Sequence, residues 1–224
     1  MGGDYSGLSA LRRFAREEQA KTGAPEAVPQ ERCDLCGGVI PPEHRHLLEI
    51  ATREIVCVCR PCSILFDREA ASEGRYRLVP DRLLYLQDFG MTAAQWESLR
   101  IPVDMAFFFY STPAERVVAY YPSPMGPTES LLELATWEEL EAQNPVLEEM
   151  GRDVEALLVN RARGANEHYL VPIDECYRLV AVIRTTWRGF SGGREVWDEI
   201  GRFFGDLRRR ARTVRAESDH DGKG

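Results

Sequence analysis

Two cysteine pairs hold the clearest chemistry in the chain: Cys33-Asp-Leu-Cys36 and, after twenty-two intervening residues, Cys59-Arg-Pro-Cys62. A C-x2-C turn wraps two sulfurs around one ion, and two such turns complete the tetrahedral four-ligand shell of Zn2+, with Zn–S near about 2.3 Å. Gly37 and Gly38 follow the first pair and permit the left-handed backbone that lets the chain double back. The second pair runs into Ser63-Ile-Leu-Phe, which reads as the first turns of a helix whose N-terminal dipole favours thiolate. The expected ligands are Cys33, Cys36, Cys59 and Cys62, holding one structural Zn2+. A closed four-sulfur shell has no open position and is not catalytic by itself. It replaces the core that a module of about forty residues cannot build.

Cys57 is surplus to that shell. Its alternation with Ile55 and Cys59 leaves two readings, a neutral thiol packed on a strand or an alternate metal ligand. The second reading keeps iron open as the metal, in a thiol redox or metal-transfer site. His44 and His46 lie close to the first pair, as a histidine does in treble-clef nucleases, but the asparagine and final histidine of such enzymes have no counterpart here.

Elsewhere the candidates read as structural. Cys176 sits on an apolar helix face with Leu179, Val180 and Ile183, and His168 lies among the strand residues Tyr169, Leu170 and Val171. The stretch Trp187-Arg-Gly-Phe-Ser-Gly-Gly is a helix-to-helix connection that could also offer backbone amides to an anion. Arg208, Arg209, Arg210, Arg212 and Arg215 gather at the end of the last helix, where cations oppose the negative helix terminus. No G-x-G-x-x-G, P-loop or H-E-x-x-H pattern is present, and no G-x-S-x-G nucleophile motif is expected.

Positioning these residues falls to a chain of 224 residues with 28 basic and 36 acidic side chains, a net charge of −8. That balance excludes a generic nucleic-acid coat, and no nucleic-acid partner is expected. The longest fully apolar run, Met105–Tyr110, is far short of the roughly 20 residues of a membrane span. The N-terminus lacks a charged segment followed by an apolar one, so a cytoplasmic protein is expected, where clustered cysteines bind metal more often than they form disulfides.

An amphipathic helix is expected over Ser6–Ala20 and a linker over Thr22–Glu31. A hairpin pairs His46–Ile50 with Glu54–Val58 around Thr52-Arg53. Strands are expected at Tyr76–Val79, Leu83–Leu86, Val103–Tyr110, Arg116–Tyr121, Val154–Asn160 and His168–Pro172. Capping boxes at Thr92/Gln95 and Thr136/Glu139 open short helices, Pro122–Pro127 is an extended loop, and Asp174 caps a helix to about Trp187. A last helix starts near Arg194 and displays Val196, Trp197, Ile200, Phe203, Phe204 and Leu207 along one face. The fold class is α+β: a treble-clef-like zinc module followed by a mostly antiparallel sheet packed with two C-terminal helices. The expected divisions are 1–31 (helix and linker), 32–73 (Cys-rich module), 74–216 (α+β domain) and 217–224 (tail).

Three runs together resemble one family: Cys33-Asp-Leu-Cys-Gly-Gly-Val-Ile-Pro-Pro-Glu-His-Arg-His-Leu-Leu48, Cys57-Val-Cys-Arg-Pro-Cys-Ser-Ile-Leu-Phe66 and Cys176-Tyr-Arg-Leu-Val-Ala-Val-Ile-Arg-Thr-Thr-Trp-Arg-Gly-Phe-Ser-Gly-Gly193. The resemblance is to the bacterial family DUF5947 and spans about Arg32 to Arg210. It implies an actinobacterial setting close to nickel-iron hydrogenase genes, and so an accessory or maturation role. The function expected is that of a non-enzymatic zinc-binding protein contacting a hydrogenase subunit or maturation factor.

Overall fold

Alternation along Arg45–Glu49 (β1) turns Leu47 to one side of a small sheet and Leu48 to the other, and both are buried. β1 pairs antiparallel with Glu54–Val58 (β2), with His46 opposite Cys57 and Leu47 opposite Val56, so the expected hairpin is present. Tyr76–Leu78 (β3) flanks the other edge of β1, giving the order β2-β1-β3. Arg60–Leu65 (α1) is a single short helix with Pro61 in its first turn, where the missing N–H has no partner to lose. This computed structural model describes residues 30–66, 72–132, 134–189 and 192–215. The helix expected over Ser6–Ala20, most of the linker, and the tail from Glu217 lie outside them.

The larger unit contains Leu84–Leu86 (β4), Ala93–Ser98 (α2), Met105–Ser111 (β5), Arg116–Ser123 (β6), Gly126–Ser130 (β7) and Leu134–Gln143 (α3). Glu155–Asn160 (β8), Glu167–Pro172 (β9), Ile173–Thr186 (α4), Gly193–Arg210 (α5) and Arg212–Val214 (β10) complete it. The sheet runs β10-β4-β9-β8-β5-β6-β7, antiparallel throughout except for β10 beside β4. Phe107, Phe109, Leu158 and Tyr169 meet α4 and α5, while Phe108, Leu157 and Leu170 meet Trp96 of α2 and Trp137 of α3. The expected α+β class with two C-terminal packing helices is what forms, with a second helical layer on the opposite face. Among the described residues no helix is long and apolar enough to cross a membrane.

Several local expectations are corrected. Pro122–Pro127 is no extended loop but a tight β6–β7 hairpin, with Pro122 opposite Pro127 and Ser123 opposite Gly126; the prolines are tolerated at the end of β6 and the start of the edge strand β7. Thr92 and Gln95 form their capping box, but Thr136 lies inside α3, where its hydroxyl meets Ser98 Oγ at 3.0 Å. Asp174 does not cap α4, whose N-cap is Pro172. Arg212 and Arg215 are not helical, because α5 ends at Arg210 and the chain returns as β10.

The small sheet docks on the larger unit at several points. Leu48, Ile50 and Val79 join the apolar cluster beneath α4 and α5. Arg53, in the left-handed region at φ 61° in the β1–β2 turn, donates to Ser111 Oγ at 3.1 Å and to Tyr120 OH, and lies over the Phe109 and Tyr120 rings. Arg77 donates at 2.8 Å to the buried Asp153, which also accepts from Thr112 N at 2.7 Å.

Candidate metal centre

The first cysteine pair lies in a tight knuckle between the bridged residues Arg32 and Val39. Cys33 N donates to Gly38 O at 2.7 Å and Gly37 N to Cys33 O at 2.8 Å, a closure that requires the left-handed φ of 72° at Gly37. Asp34 latches the knuckle to β2 twice: its N–H donates to Cys57 O at 2.9 Å and its carboxylate accepts from Cys57 N at 2.7 Å. The second pair sits at the junction of β2 and α1, with Cys59 as the extended N-cap and Cys62 in the first turn.

These elements bring the sulfurs of Cys33, Cys36, Cys59 and Cys62 within 4.8 Å of one another. Cys36 Sγ and Cys59 Sγ are 3.7 Å apart. A tetrahedron with metal–sulfur bonds of about 2.3 Å has edges of about 3.8 Å. The separation is too long for a disulfide, and all six cysteines are free thiols. The donor set therefore fits a thiophilic ion, and the group could hold one metal.

The electrostatics of the cluster suit a cation. Burial works to raise the Cys33 thiol, but the backbone amides of Cys59, Cys36 and Leu35 outweigh it and bring it down to about 6. Cys62 is pushed up to about 12, first by burial and then by the neighbouring Cys59, Cys33 and Cys36. Cys36 is also raised: the Gly38 amide lowers it, and the Cys33 and Cys59 sulfurs overcome that. The Cys33 thiolate is thus favoured by local amides, while ionising Cys36 and Cys62 requires a positive charge in their midst. The six-residue α1 is too short for its dipole to reverse the burial of Cys62.

Cys57 is not part of the four-sulfur group. It is half-buried with its thiol raised, chiefly by burial and next by Asp34 and Glu31. Its sulfur lies within 4.8 Å of ring nitrogens of His44 and His46, in a second group of metal-competent side chains. Sequence reasoning noted the two histidines only through a nuclease comparison and missed Asp174, which accepts from His46 Nδ1 at 2.7 Å across 128 residues of sequence.

The remaining candidates are structural. Cys176 is fully buried beneath α5 and its thiol is held well above its ordinary range by burial. His168 stacks on Phe89 with ring centroids 4.7 Å apart and is pushed down to about 4, mainly by burial and secondly by Arg161, so it is a neutral aromatic. Glu167, its sequence neighbour, bonds Asn160 and Tyr169 instead. In the α4–α5 connection a Cβ on Gly192 would come within 2.8 Å of Val196 Cγ1, so the glycine is required for packing. Gly189-Phe-Ser-Gly-Gly193 has the G-x-S-x-G spacing of a nucleophile elbow, but it joins two helices where the elbow needs a strand-to-helix turn. Phe190 and Ser191 lie outside the described residues. Arg209 and Arg210 pair with Asp206, Arg210 also with Glu175, and Arg208 lies over the Tyr85 ring, so these cations are engaged within the fold.

No curated protein matches the chain, and no solved structure does. One family model matches, over residues 32–211, a span that includes both cysteine pairs and every strand and helix from β1 to α5. The chain belongs to DUF5947, a family of unknown function.

Proposed function

We propose that this is a non-enzymatic, cytoplasmic zinc-binding accessory protein that assists assembly or maturation of a nickel-iron hydrogenase through protein contacts. The observation that carries the reading is the four-sulfur group of Cys33, Cys36, Cys59 and Cys62, which in this reading holds one structural Zn2+. Knuckle, hairpin and short helix follow one another in treble-clef order, and the ion takes the place of the small module's missing core. In this reading residues 32–73 form the zinc module and 74–216 the domain on which it is mounted, with β3 of the second stretch completing the module's small sheet.

The elements carrying the ligands also carry exposed apolar side chains: Leu35 and Val39 on the knuckle, Ile64 and Leu65 on α1, the last two 65% and 64% exposed. Such a patch on a metal-rigidified module suits a protein partner. The hydrogenase as partner rests on the gene neighbourhood that the family resemblance implies. The test is co-purification of tagged full-length protein with hydrogenase subunits co-expressed from the same genome. Wild type is expected to retain a hydrogenase component, and the Ile64→Asp/Leu65→Asp variant to retain its zinc while recovering at least about tenfold less of that component. Absence of any hydrogenase component with wild type would overturn the assignment.

A further inference from the structure

The group His44, His46 and Cys57 has the construction of a second site. The β1–β2 register sets His46 directly opposite Cys57, so the two side chains share one face of the hairpin, and His44 lies two residues upstream of His46. Donor atoms of all three lie within 4.8 Å of one another. The His44 side chain is only 7% exposed. Its Nδ1–H donates to Pro41 O at 2.9 Å, with Glu31 Oε2 3.6 Å from the same nitrogen, and its Nε2 is buried with no hydrogen-bond partner. A protonated Nδ1 leaves that Nε2 with a free lone pair available to a metal ion.

His46 is prepared in the same way. Its Nδ1 donates to Asp174 Oδ2 at 2.7 Å, which fixes the tautomer and leaves Nε2 as the donor nitrogen. A carboxylate behind a histidine is the usual orienting device of a metal ligand. Asp174 is free for it because it lies inside the first turn of α4, past the N-cap position held by Pro172. The two imidazole rings stand edge to face, with centroids 4.9 Å apart at 85°. His44, His46 and Asp174 line a cleft of about 1470 Å3 between the hairpin and α4.

We propose that His44, His46 and Cys57 form a second metal site, distinct from the four cysteines, for a divalent transition ion of borderline softness such as Zn2+. Two imidazoles and one thiolate disfavour Mg2+ and Ca2+, which take oxygen ligands, and suit zinc-like ions. Three protein donors leave a fourth position for water or an exogenous ligand, the feature that separates reactive sites from closed structural ones. Asp174 is the positioning residue of this site.

The test is a Zn2+ titration of the full-length protein followed by native mass spectrometry, with circular dichroism on each variant. Wild type is expected to bind two ions. His44→Gln/His46→Gln and Cys57→Ser are each expected to bind one, and zinc-edge X-ray absorption should show that remaining ion with four sulfur neighbours, which identifies the site that fails. Asp174→Asn leaves all three donors in place and should weaken only the second ion, by about 10- to 100-fold. Saturation of wild type at one ion, or two ions retained by the histidine double variant, would overturn the proposal. If the histidine variant does not fold, an unchanged second-ion affinity in Asp174→Asn overturns it equally.

Discussion

Removing the metal from the full-length protein with a strong chelator is expected to melt the Cys-rich module while the seven-stranded domain stays folded. The apolar cluster inside the module has five buried members, and two of them are the proposed ligands Cys33 and Cys62. Without an ion the remaining three, Ile40, Leu47 and Val58, are too few to offset the chain entropy of ordering the knuckle. Structural zinc supplies on the order of 10 kcal/mol to such modules. The larger unit has separate apolar clusters on the two faces of its sheet, and neither contains a ligand. Hydrogen exchange with and without chelator reads this directly: amides of residues 32–66 should exchange at least about a hundredfold faster after metal loss, while β5, β8 and β9 keep their protection. Equal protection of the module in metal-free protein would show that the four cysteines do not hold it together.

The second large effect is expected far from the cysteines. Arg82→Ala should destabilise the α+β domain by about 3 kcal/mol, because it strands the carboxylate of Glu155, a residue only 3% exposed. Arg82 grips that carboxylate with both arms, Nε to Oε1 at 2.9 Å and Nη2 to Oε2 at 2.7 Å, and also donates to Glu149 O at 2.9 Å. After the substitution, among the described contacts only Gly151 N, 2.8 Å from Oε2, would still serve the buried charge. Replacing both partners with apolar residues, Arg82→Met/Glu155→Leu, should recover most of the loss, since the penalty belongs to the unpaired charge. Urea unfolding of the three proteins decides it. A loss below about 1 kcal/mol for Arg82→Ala would mean that the pair contributes no more than a surface ion pair.

What the sequence made legible is local. The C-x2-C spacing, the glycines after the first pair and the alternation through His46–Val58 all depend on neighbours a few residues apart, and the knuckle, the hairpin and the four-sulfur group formed where these patterns lie. Runs rich in β-branched and aromatic residues likewise located β5, β6, β8 and β9, strands that are largely buried on both faces. Local pattern failed where long-range contacts decide. Asp174 has the type and place of a helix cap, yet β9 runs straight into α4 through Pro172, and the freed carboxylate meets His46. β10 is three residues long and exists because the chain beyond α5 meets the edge of β4, a pairing that no periodicity announces. The prolines around the β6–β7 turn carry loop signals, and edge position made them strand residues. Cys57 was ambiguous between packing and ligation because its partners, His44 and His46, lie across a strand pair and not beside it in sequence.

The central claim is that Cys33, Cys36, Cys59 and Cys62 enclose one zinc ion. Zinc-edge X-ray absorption on full-length protein carrying a single equivalent of its copurified metal tests it most directly. The account predicts zinc with four sulfur neighbours at about 2.3 Å and no lighter atom in the first shell. Nitrogen or oxygen in that shell, or iron as the metal that copurifies, would contradict it.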